Sequence, residues 1–418
     1  MQLSTIHQEA LDLKDRYARF LDEHGRLAAR GDIHEFSHTL VPSTRLRIGP
    51  VIGKGKFATV EVCDLLYADE QAVPLVRRTH RHGLEMKTAM IDAHRRLFVR
   101  DGDEQRAEHL ATIERACDTE RADYIAQLGY LLGLSLDRGL DPIIAPIIGH
   151  DLAIVPFAQD LQEAQNGTRK GLDIRYEEHF HLYQHRAITT LQDAFAKTRA
   201  AARRDPTRVV ALADLIDATV SLVERTLTAG YVDADLKSEN IGLFLSPDGR
   251  KKLLRTIDVA ELRPVNGLDA RLRAWERREG TAVVPTYFIG SITYTPARRL
   301  DAYDDHSLAS TRARMLPQDA TASLALVLAD ELFGLYDAIR VSPSNGLSIE
   351  RRVREERYRF TAGLITTPEP ILEPYREPLM HAIAADLDGR AVDLTHLRDR
   401  LAGIGATIRG TALSPGTP

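Results

Sequence analysis

Cysteine is nearly missing from this chain, with only Cys63 and Cys117 among 418 residues. Two cysteines cannot build a disulfide framework, and their spacing fits no metal-ligand pattern, so a reducing compartment is the default expectation. Long apolar runs are also missing, so no membrane span is expected. The first twenty residues alternate charged and apolar positions and lack the apolar centre of a secretory signal. Nor is there an excess of one charge: 55 basic and 60 acidic residues leave a formal net charge of −5. That balance provides no concentrated basic face for nucleic acid. Even the run Arg271, Arg273, Arg277 and Arg278 is interleaved with Glu276 and Glu279, and reads as a solvated helical face. Glycine and proline are thinly spread, and no repeat or low-complexity linker interrupts the chain. A cytoplasmic protein is expected, with injection as an effector left open, because hydropathy does not read such signals.

What remains is ordinary globular composition, 44% hydrophobic and 28% charged, in a chain long enough for one two-lobed domain or two to three smaller ones. Residues 1–44 read as a helical extension, with Leu11, Leu13, Tyr17, Phe20 and Leu21 roughly marking one face. From Arg45 the texture changes to β-branched residues alternating around glycines, a strand–turn–strand pattern; AVPLVRR follows as a third strand. A charged stretch over 84–132 has helical period. LDPIIAPIIGHDLAIVPFAQ reads as two strands joined at Gly149, His150 and Asp151. Beyond Gln159 helices dominate: 209–230, the apolar run SLALVLADELFGLYDAI, 350–360, 371–387 and 394–404. A β-hairpin turning at Ser246–Gly249 interrupts them. The expected fold class is α+β, with a small β-rich lobe over 45–160, a larger helical lobe over 161–406 and a flexible tail over 407–418.

Three stretches carry chemistry. Tyr231–Gly242 reads YVDADLKSENIG, placing Asp235, Lys237 and Asn240 in the order D-x-K-x-x-N. Gly53 and Gly55 open a glycine-rich turn between two expected strands, followed by Phe57 and Val60. Such a turn lets backbone N–H groups approach phosphate without interference from a Cβ. It is not a Walker A loop, since neither lysine after a glycine is followed by Ser or Thr. Asp258 closes the second strand of the hairpin in LLRTIDVAEL. Farther on, GSITYTPARR (290–299) contains Gly290, Ser291, Tyr294 and Pro296.

Together these motifs resemble the protein-kinase-like family over about residues 45–405. The resemblance implies a bilobal fold that transfers the γ-phosphoryl group of ATP to a hydroxyl, most directly a Ser or Thr of a protein substrate. The alanine- and arginine-rich usage points to a bacterial source. The resemblance also implies Asp235 as the residue that orients the hydroxyl and Lys237 as the charge beside the γ-phosphate. Asn240 and Asp258 become the ligands of Mg²⁺, and Gly53, Gly55, Phe57 and Val60 the cover over the nucleotide. Ser291 would bridge Asp235 and Lys237, and Asp319 would precede the apolar helix that anchors the catalytic loop.

The match departs from the family at several positions. Asp233 and Ala234 replace the usual His-Arg, which argues against activation by loop phosphorylation. Ala58 replaces the third glycine, Val259 and Ala260 replace the aromatic and glycine after the metal aspartate, and the glutamate closing the later segment is absent. The basic residue on the third strand is Arg77, with Lys87 as the alternative; its carboxylate partner is Glu114 or Glu120. Two other readings therefore stand beside an active protein kinase. One is a pseudokinase acting as a nucleotide-binding or scaffold module, favoured by Arg77 and Ala260. The other is a small-molecule kinase, disfavoured because Lys237 stands where such enzymes carry histidine. His179, His181 and His185 read as solvated residues on a helix, a weaker metal candidate. Cys63 reads as packing.

Overall fold

The computed structural model describes residues 45–54, 58–66, 72–82, 134, 137–156, 162, 165–166, 176–245, 252–259, 262–265, 292–304, 316–341, 349–365 and 370–413. The expected extension over 1–44 and the helical stretch over 84–132 lie outside them. The chain divides into two compact units: one of Met1–Arg138, Ala145–Arg186 and Pro247–Gly249, the other of Gly139–Ile144, Ala187–Ser246 and Arg250–Pro418. It is a mixed α+β protein, with a small antiparallel sheet in the first unit and a helical C-terminal part in the second.

In the first unit, β1 (Arg45–Lys54), β2 (Ala58–Leu66), β3 (Ala72–His82), β4 (Ile147–Pro156) and β5 (Tyr176–His185) form one antiparallel sheet in the order β1-β2-β3-β5-β4. Cys63 is fully buried and lies opposite both Ile48 and Leu75 in the register, so it serves packing. Two expectations are corrected here. Gly149, His150 and Asp151 do not join two strands but continue β4, with a register shift between Ile147 and Gly149. His179, His181 and His185 lie on a strand, not a helix. Their spacing of two and four places them on one strand face, and Thr79 Oγ1 is 2.9 Å from Nδ1 of His181. The period of two in EEHFHLYQH was masked because Leu182, Tyr183 and Gln184 are all buried, so no polar side marks the alternation. Since β5 belongs to this sheet, the division of the chain falls after Arg186.

The second unit opens with β6 (Thr189–Thr190) and α1 (Leu191–Arg204). Thr190 caps α1, accepting a 3.2 Å hydrogen bond from the Asp193 N–H, while Arg203 and Arg204 sit in its last turn, where cations complement the helix dipole. The helix α2 (Val209–Thr228) buries Leu212, Ala213, Ile216, Val220 and Val223, spaced three and four apart. It leads into β7 (Tyr231–Asp233), the hairpin β8 (Ile241–Leu245) and β9 (Lys252–Thr256), and β10 (Leu262–Pro264), which pairs with β7. The expected turn at Ser246–Gly249 lies outside the described residues.

After α3 (Ala297–Asp304) comes α4 (Pro317–Phe333), buried almost all round, as a central core helix should be. Pro317 suits its first turn, and Gly334 ends it at φ +67°, a left-handed conformation that favours glycine. Asp319 lies inside this helix rather than before it; its carboxylate accepts from the Leu316 N–H at 2.8 Å and pairs with Arg298. α5 (Asp337–Val341), α6 (Ile349–Thr361), α7 (Glu373–Leu387) and α8 (Leu394–Leu413) complete the unit. The last helix runs through the front of the expected tail, because Ile408 is buried and Arg409 pairs with Asp214 and Asp217 of α2 at 3.0 and 2.9 Å. No helix among the described residues is long and apolar enough to cross a membrane.

Candidate functional site

α2 ends at Thr228, and Gly230 beyond it, with φ of +84°, turns the chain sharply into β7. Val232, Asp233, Ala234 and Leu236 are buried, while Asp235 and Lys237 are partly exposed on either side of Leu236. An apolar ratchet of this kind presents the two charged side chains on one side of an otherwise fixed loop. Asp233 shapes the turn, its Oδ1 accepting from the Asp235 N–H at 3.0 Å. A short 3₁₀ turn over Ser238–Asn240 then delivers the chain to β8.

Asp235, Lys237 and Asn240 meet. Lys237 Nζ is 2.9 Å from Asp235 Oδ2, and Asn240 Nδ2 donates to Asp235 Oδ2 at 3.0 Å and to its carbonyl at 3.1 Å. With the Asn240 amide nitrogen committed to Asp235, its Oδ1 is the atom left for a cation. Burial alone would lower the Lys237 ammonium. The negative charges of Asp235, Glu239 and Asp258 outweigh it, so the net shift is upward and Lys237 stays protonated.

The hairpin brings in Asp258. Ile241 faces Thr256 across β8 and β9, and the Ile257 N–H donates to the Asn240 carbonyl at 2.8 Å. Asp258 is the next residue, and its charge acts on both Asp233 and Lys237. Asn240 and Asp258 are eighteen residues apart in the chain, yet the hairpin puts Asp258 one residue past the Asn240–Ile257 backbone hydrogen bond. As a donor set, one carboxylate and one amide oxygen suit Mg²⁺, a hard cation that takes few protein ligands and leaves positions for water and phosphate oxygens. Among the described residues no group of three or more His, Cys, Asp or Glu side chains gathers as a metal site, the strand histidines included.

Three supporting residues escaped the motif reading. Asp233 is 5% exposed, its Oδ2 has no hydrogen-bond partner, and burial together with the Asp235 charge pushes its carboxyl up to about 7. The D-x-D spacing was the available signal. Ser238 is buried and donates a short hydrogen bond to Glu331 of α4, whose carboxyl burial raises to about 7. An Asp330-Glu331 pair inside an apolar helical run was a sign that polar groups are needed there. Asp330 itself receives the Tyr294 hydroxyl at 2.6 Å and pairs with Arg340 at 2.5 Å. The segment around Pro296 is held from below: buried Arg357 donates to the Thr293 and Thr295 carbonyls at 3.0 and 2.7 Å, and Asp386 accepts the Ala297 N–H at 2.9 Å.

The remaining expected residues belong to the first unit. Gly53 faces Val60 across β1 and β2, and a Cβ there would make only ordinary contact with Val60, at 3.6 Å. Arg77 pairs with Glu61 on the neighbouring strand at 2.8 Å, where the register sets the two directly opposite. Gly55, Phe57, Lys87, Glu114, Glu120, Gly290 and Ser291 lie outside the described residues. No protein-family model matches the chain, and no curated protein matches it.

Proposed function

We propose that the chain is a divergent protein-kinase-like phosphotransferase, with a bilobal kinase-like fold, that transfers the γ-phosphoryl group of ATP to a hydroxyl of a protein Ser or Thr. One observation carries this reading: Asp235, Lys237 and Asn240 are locked together by hydrogen bonds, and Asp258, one residue past the Asn240–Ile257 backbone hydrogen bond, is close enough for its charge to act on Lys237. The five-stranded antiparallel sheet is the kind of first lobe the reading calls for. A packed structural loop has no evident need for two acids, a lysine and an amide of this arrangement.

In this scheme bound Mg²⁺ and ATP supply the transferable phosphoryl group and neutralise its charge. Asp235 accepts the hydrogen bond of the incoming hydroxyl and aligns it for in-line attack. Lys237, held in its charged form, steadies negative charge on the group being transferred. Asn240 fixes Asp235 through Nδ2 and, with Asp258, is placed to hold the cation. Gly53 and Val60 face each other across β1 and β2, flanking the glycine-rich turn.

The second reading, a nucleotide-binding pseudokinase, is favoured by a specific contact. Arg77 is already committed to Glu61 within its own sheet, and its forked guanidinium is not a neutral substitute for a lysine. Thermal unfolding with and without Mg²⁺ and ATP tests the nucleotide site itself. The wild-type midpoint is expected to rise with both present, and Asp258→Ala to lose most of that rise. An unmoved wild type would remove the basis for either reading.

A further inference from the structure

Where α2 packs on β9, a half-buried Arg225 lies near a buried Arg255. Arg225 spends its guanidinium on backbone: Nε donates to the Ser221 carbonyl at 3.2 Å, Nη1 to Pro142 at 2.8 Å and Nη2 to Leu254 at 3.3 Å. Arg255, the residue after Leu254, is 5% exposed, and its Nε and Nη1 are buried without any hydrogen-bond partner. Its one described companion is the Phe244 ring, 5.7 Å from Cζ to the centroid. Among the described residues neither arginine makes an ion pair.

A buried cation normally has an anion beside it, because the loss of hydration is severe and an aromatic face returns only about 1 kcal/mol of it. Burial, with the charge of Arg225 added, lowers the Arg255 guanidinium to about 10, still charged at neutral pH. The site therefore holds positive charge, unfilled donors and, among the described residues, no acid paired with it. Planar guanidinium forks match the spacing of oxygens in a tetrahedral oxyanion.

We propose that Arg255, assisted by Arg225, forms a binding site for a small tetrahedral oxyanion of the inorganic phosphate type. The near-complete burial of Arg255 limits the occupant to a free ion. The site lies within the second unit, and its existence does not depend on the phosphotransferase reading.

The test is isothermal titration of inorganic phosphate into the full chain at constant ionic strength. Wild type is expected to show saturable binding, Arg255→Met to weaken it at least tenfold, and Arg225→Lys, which keeps the charge but loses the fork, to weaken it severalfold. Arg390→Met, which alters an exposed arginine paired with Asp388, is expected to bind as wild type does. If Arg255→Met does not fold, the Arg225→Lys comparison stands alone. Absence of saturable binding to wild type overturns the proposal. So does unchanged affinity in whichever of the two variants folds.

Discussion

Replacing Asp233 by Asn should stabilise the protein, and by more as the pH rises. In the folded chain the Asp233 carboxyl is pushed from 3.8 to about 7, first by burial and then by the charge of Asp235. Between those pH values the unfolded chain gives up the proton and the folded chain keeps it. Stability from this group is therefore complete at low pH and is lost as pH rises toward about 7, at up to ~1.4 kcal/mol per pH unit. Asparagine keeps an oxygen for the Asp235 N–H and never ionises, so it resembles the protonated native residue. The variant's lead over wild type should be about 1.5 kcal/mol at pH 5 and flatten near about 4 kcal/mol above pH 7. Glu331 titrates in the same range but is present in both proteins, so it cancels in the difference. Urea unfolding of both proteins at half-unit steps from pH 5 to 8 measures the lead directly. A lead that stays flat across the range, or a variant less stable than wild type at pH 8, would refute the burial argument.

Other substitutions probe the frame around the loop. A Cβ at Gly242 would lie 2.6 Å from the Ala187 Cβ and 2.7 Å from Ile257 Cγ2, so Gly242→Ala should cost about 1–3 kcal/mol by chemical denaturation. An unchanged midpoint would show that the packing relaxes freely. Asp386→Ala leaves fully buried Arg357 without the carboxylate 3.7 Å away and should cost about 3–5 kcal/mol. Adding Arg357→Met should recover part of that loss, and no recovery would assign the cost to Asp386's bond to Ala297 alone. Lys237→Met removes the charge beside Asp235 and should lower phosphoryl transfer about 10²–10³-fold while nucleotide still binds. Equal rates in the two proteins would remove Lys237 from the mechanism.

The sequence made α2 legible because its apolar period coincides with its burial, and α4 because an apolar run suits a helix buried almost all round. It also made the β8–β9 hairpin legible, and with it the approach of the two chain segments that carry Asn240 and Asp258. It hid β5, whose buried polar residues erase the alternation that marks a half-exposed strand. Asp233, Ser238 and Glu331 were hidden for a different reason. Their importance comes from burial and from contacts over large sequence separations, such as Ser238 with Glu331, which local spacing does not encode. Arg77 was recognised as the basic residue of the third strand. Its pairing with Glu61 follows from strand register, which was fixed only once β2 and β3 were laid side by side.

The central claim is that Asp235 and its neighbours transfer phosphate, and its most direct test is label transfer from γ-labelled ATP with Mg²⁺ to a generic protein substrate. Wild type should incorporate label; Asp235→Ala and Asp258→Ala should each lose it while keeping a cooperative unfolding transition. Equal incorporation by wild type and Asp235→Ala would contradict the assignment. No label from wild type, with a nucleotide-induced rise in its unfolding midpoint, would leave a nucleotide-binding protein and end the case for transfer to the substrate tried.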